Sequence, residues 1–118
     1  MAQRAYAPTK APIRSARSIE YDVIAKITYR LKAAIEQNDF NALVAAMHEN
    51  RTLWTAFATD VAGDENELPD DLRARIFYLA QFTQHHTGLV LREKESAIPL
   101  LEVNTSIMRG LRLEGVAV

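Results

Sequence analysis

The chain has 118 residues, 48% of them apolar and 25% charged, with a net charge of −1 and no cysteine. That suits one modest globular domain. It lacks the charge excess that draws a protein to nucleic acid or a membrane surface, and it has no thiolate chemistry, disulfide or cysteine-held zinc.

Residues 1–17, MAQRAYAPTKAPIRSAR, hold two prolines and a local charge of +4 with no acid. With no helical period, they read as a flexible basic N-terminal arm. Tyr6, Arg14 and Arg17 are its candidate partner contacts. Direct nucleic-acid binding is not expected, because the arm has no recognition motif and little aromatic interleaving. The first 15 residues also lack the apolar stretch of a secretory signal, so the protein is expected to stay in the cytoplasm.

Residues 18–118 read as one helical domain. Helix one is expected from Ser18 as N-cap, with Glu20 and Asp22 at the positive helix end. Ile24, Ile27, Leu31, Ala34 and Ile35 follow at helical spacing. Asn38 and Asp39 then close it and cap helix two.

Helix two runs from Phe40 to about Val61, with Leu43, Val44, Met47, Trp54, Phe57, Ala58 and Val61 on its apolar side. Asn50 and Arg51 interrupt the stripe and mark a possible kink. Gly63 is the expected C-terminal position with positive φ.

DENELPDDLRARI, residues 64–76, packs five acids into eight positions. Its spacing does not fit a calcium loop. Pro69 lacks an amide hydrogen, which matters least in a first helical turn, and Asp70 and Asp71 suit the helix dipole there. Helix three follows through Leu72, Ile76, Leu79, Ala80, Thr83, Thr87, Val90 and Leu91, with Arg73 and Arg75 balancing the acids. Gly88 is expected to bend or stop it, and TGLVL is the sole, short strand candidate. His85 and His86 are neighbours about 100° apart on a helix, so they read as a polar flank rather than a metal site.

Pro99 opens the last helix, whose apolar side carries Leu100, Val103, Ile107, Met108 and Leu111 with Asn104 among them. No helix reaches the ~20 apolar residues that span a bilayer, so no membrane insertion is expected. The fold class is all-α, a small bundle of about four helices behind the basic arm. Trp54, Phe57, Pro69 and Asn104 are read as structural, the amide fixing helix register. With only four glycines, no phosphate loop and no nucleophile motif, no enzyme, metal or cofactor is expected. Ile24, Ile27, Leu31, Leu100, Ile107, Met108 and Leu111 are the candidate partner groove, on the argument that so short a bundle leaves apolar surface uncovered.

LWTAFATDVAGDENELPDDLRARI (residues 53–76) and PLLEVNTSIMRGL (residues 99–111) together resemble the FlaF family of flagellar biosynthesis regulators. The shared features are Leu53-Trp54, Phe57, Asp60, Asn66, Leu68-Pro69, Leu72-Arg73, Asn104 and Met108-Arg109-Gly110-Leu111. Tyr6 and Glu20-Tyr21 extend the resemblance toward the N-terminus. It implies a cytoplasmic, chaperone-like protein that binds flagellin and supports its synthesis and export together with the regulator FlbT. The alternative it leaves open is an adaptor in post-transcriptional control of flagellin that binds FlbT instead.

Overall fold

The computed structural model describes the backbone of residues 12–111 and the side chains of residues 21–110. Four helices follow in order: α1 Pro12–Glu36, α2 Phe40–Ala62, α3 Asp70–Glu93 and α4 Ile98–Leu111. Among the described residues there is no strand. α1 therefore starts six residues ahead of the expected Ser18 cap, with proline in the first turn, where its missing amide costs least. Residues 1–11 of the expected arm, Tyr6 among them, lie outside the described residues, as do the side chains of Arg14, Arg17 and Leu111.

The α1–α2 turn forms as the sequence suggests. Asn38 takes the left-handed conformation at φ 54°, which asparagine tolerates better than most residues. The Asp39 amide then returns to Ala34 O at 3.0 Å. Asp39 caps α2, its Oδ1 accepting from the Ala42 amide at 3.0 Å.

Three expectations change. α2 runs as one helix past Asn50, because that amide turns into the core. Gly63 sits at φ −78°, ψ 147°, in extended backbone that any residue adopts. The other left-handed residue is Lys94, closing α3 at φ 58°. α3 also passes through Gly88, and TGLVL is helical. Gly88 is buried, and the Arg92 guanidinium lies 2.7 Å from where its Cβ would be.

The α2–α3 connector is organised by its own polar groups. Asn66 Nδ2 donates to Asp60 Oδ2 at 2.8 Å, and Asn66 Oδ1 accepts from the Leu68 amide at 3.0 Å. Arg73 turns back across the connector, donating through Nε and Nη2 to Val61 O at 3.1 and 2.8 Å and through Nη2 to Gly63 O at 3.0 Å. It thus closes the end of α2, where carbonyls lack helical partners. Its Nη1 lies 3.6 Å from Asp70, which is almost fully exposed. Arg75 instead donates to Ser106 Oγ at 2.6 Å, tying α3 to α4.

α1 packs on α2 and α4, and α3 packs on the same two helices, so the four close into a ring. Two apolar clusters fill it. One gathers Ile24, Trp54, Phe57, Val61, Ile76, Ala80 and Ile107, with Trp54 and Phe57 edge to face at 5.3 Å. The other gathers Leu31, Ala46, Met47, Val90, Ala97 and Leu100. Position in these clusters rises along α1 and α3 in one direction and along α2 and α4 in the other. The bundle is therefore up-down-up-down, as short connections favour.

A polar layer lies between the clusters, with one contribution or more from every helix. Asn104 Nδ2 donates to Asn50 Oδ1 at 2.9 Å and to Thr28 Oγ1 at 3.1 Å. Trp54 Nε1 donates to Asn104 Oδ1 at 2.9 Å. From α3, Thr83 and Thr87 are fully buried, and Thr87 Oγ1 donates to Thr83 O at 2.7 Å.

Candidate partner-binding groove

Most of the residues expected to line a groove are core. Ile24, Ile27, Leu31, Leu100 and Ile107 are all buried, and Met108 packs against the Trp54 cluster half-buried. The spacing that suggested an open stripe is the spacing of the bundle seam: in a ring of four helices both neighbours cover it. Trp54, Phe57 and Asn104 are buried, and Pro69 occupies the position ahead of α3 with no side-chain cap bond.

The open surface lies one step round the cylinder, between α1 and α2. Two adjoining hollows of about 380 and about 440 Å³ share Arg30 and Glu49 in their walls. Val23, Lys26 and Ile27 line the first, with His48 and Thr52 across from them. The second is floored by alanines: Ala33 and Ala34 of α1 facing Ala42, Ala45 and Ala46 of α2. Tyr29, 72% exposed, stands at its edge. From Asp22 to Gln37 the α1 wall is about 22 Å long at 1.5 Å per residue, about four turns of a helix.

Each feature has a local cause. Alanine side chains end at Cβ, so where they face each other two helices leave a trough. Tyr29, Lys26 and Arg30 point away from the ring and so form the rim. Arg30 Nη1 reaches both carboxylate oxygens of Glu49, at 2.8 and 2.7 Å. Both side chains are more than two-fifths exposed, so this saddle holds the helices together weakly, by about 0.5 kcal/mol. A bound segment can displace it at little cost.

The trough is apolar in its floor and mixed in charge at its edges, with Asp22 and Glu49 against Lys26 and Arg30. That chemistry suits the face of an amphipathic helix. The missed residues, above all Ala42 and Ala45, carried a signal in their spacing: exposed alanines three apart on α2, opposite Ala33-Ala34 on α1.

A second apolar surface, of Phe40, Val44, Leu91 and Ile98, lies at the end of the bundle that holds the α1–α2 and α3–α4 turns. Lys94 Nζ stands 5.6 Å from the Phe40 ring centroid there. His86 belongs to the same end: Nε2 lies 2.8 Å from Ser96 O and the ring stacks on Phe82. His85 is exposed. Among the described residues no group of three or more histidine, aspartate or glutamate side chains gathers as a metal site, and no helix is long and apolar enough to cross a membrane.

Residues 2–111 match the family model described as flagellar protein FlaF. No curated protein and no solved structure matches the chain.

Proposed function

Since the chain belongs to the FlaF family of flagellar proteins, we propose that it acts in the cytoplasm as a non-enzymatic, chaperone-like factor that binds flagellin and supports its synthesis and export alongside FlbT. The observation that carries this reading is the α1–α2 trough, open over about four helical turns with an alanine floor. Unassembled flagellin carries terminal helical segments with apolar stripes, and such a segment suits a trough of this length and chemistry. Burial contributes about 25 cal/mol per Å² of apolar surface, from which the ordering of both partners subtracts. A shallow trough therefore gives moderate, releasable affinity, which a factor that surrenders its cargo to an export gate requires.

The trough fixes the test. Ala45 is exposed on α2 and lines the floor. Ala45→Trp fills the trough without entering the core, and is expected to weaken flagellin co-purification by more than about tenfold. Far-UV circular dichroism should be unchanged. Retained binding by a folded Ala45→Trp protein would overturn the trough as the flagellin site. The second reading, an adaptor that binds FlbT rather than flagellin, is separated by the same pull-down run with purified FlbT and no flagellin. It predicts capture of FlbT alone, again lost in Ala45→Trp.

A further inference from the structure

The bundle has two apolar cores rather than one. The Trp54 cluster and the Leu31 cluster share no member, and a polar layer of the buried Asn50, Thr83, Thr87 and Asn104 with the half-buried Thr28 falls between them in sequence on every helix. Hydrogen bonds tie α1, α2 and α4 within this layer, but two of its atoms are orphaned: Asn50 Nδ2 and Thr83 Oγ1 are buried without a partner. They belong to adjoining stretches of α2 and α3, because their chain neighbours Arg51 and Gln84 donate to each other's carbonyl oxygens at 3.0 and 3.3 Å. A buried donor or hydroxyl left unmatched penalises the closed state, and water relieves it when the layer opens.

The two halves are unequal. The Trp54 half holds Trp54 and Phe57, the buried aromatic side chains among the described residues, and is backed by Leu53, Leu68, Leu72, Leu79, Val103 and Met108. The Leu31 half is aliphatic, includes two alanines, and is backed by Ile35 and Leu43 alone. It also ends at the α3–α4 connector, where Lys94 holds the left-handed conformation disfavoured for its side chain.

We propose that the polar waist divides the bundle into two cooperative units, and that the Leu31 half opens on its own while the Trp54 half stays folded. Regions with fewer buried apolar contacts open locally at lower free energy than the rest of a domain, and the Leu31 cluster is the less supported of the two. Opening exposes Leu31, Met47, Val90 and Leu100, and hydrates the orphaned groups of the waist. The device does not depend on which partner the trough takes, and its test contains no partner.

Native-state amide hydrogen exchange on the full chain, at increasing low denaturant, reads it directly. Amides of Met47 and Val90 are expected to show protection at least about tenfold lower, and a shallower denaturant slope, than those of Phe57 and Ala80. Ile107→Val thins the Trp54 cluster. It should lower protection at Phe57 and Ala80 about fivefold and leave Met47 and Val90 unchanged. Thr83→Val removes the orphaned hydroxyl and should raise protection at Met47 and Val90 by about tenfold. Equal protection and slope across all four amides would overturn the division. So would a parallel fall at all four in Ile107→Val. No gain in Thr83→Val would remove the waist from the device.

Discussion

Asn104 makes three side-chain hydrogen bonds from a position with no solvent exposure, joining α4 to Trp54, Asn50 and Thr28. An isolated polar residue on an apolar helix face reads in sequence as a register device. Its partners do not read at all, because Thr28, Asn50 and Trp54 lie 76, 54 and 50 residues away. Asn104→Leu keeps the volume and removes every bond. It leaves the buried Trp54 indole N–H without its acceptor and Asn50 Oδ1 without its donor, so unfolding free energy should fall by about 3 kcal/mol in urea melts. The amide is thus worth more to the fold than the Arg30–Glu49 pair on the surface, although the pair is the more conspicuous in charge.

At the scale of elements, some helix boundaries were legible and others were not: α2 starts behind Asp39 as expected, whereas α1 begins at Pro12, six residues ahead of Ser18. Asp39 stands where its chemistry places it, since a cap acts on amides two or three residues away, and Pro69 sits just ahead of α3 without a side-chain cap bond. Ends depend on what lies opposite. Gly63 was expected at positive φ, yet its extended backbone suits any residue, and a Cβ there meets Asp60 O at 3.4 Å. Gly63→Ala should therefore raise stability by about 0.5 kcal/mol, by limiting the unfolded chain, and thermal unfolding would show the gain. The work expected of that glycine is done by Arg73, ten residues on, whose guanidinium closes the Val61 and Gly63 carbonyls. Arg73→Met keeps the apolar stem and loses those bonds. It should cost about 1.5 kcal/mol, measured as a lower urea midpoint with unchanged slope.

For the molecule as a whole, amphipathic period and short connections were enough to specify a small bundle of about four helices, because each stripe must be covered; the up-down ring is read from the packing. The family resemblance was legible too, since it rests on local motifs along the chain. Which stripe residues would be open was not. Ile24, Leu31, Leu100 and Ile107 carry the same periodicity whether they face a partner or their own neighbours, and only the ring closure turns them inward. The trough arises where Ala33 and Ala34 meet Ala42, Ala45 and Ala46, and the polar waist where one level of four helices coincides. Sequence alone determined four helical stretches, the Asp39 cap and the family, all properties of residues a few positions apart. Tertiary structure decided the trough, the waist and the two cores, because surface and burial belong to pairs of helices and have no local signature.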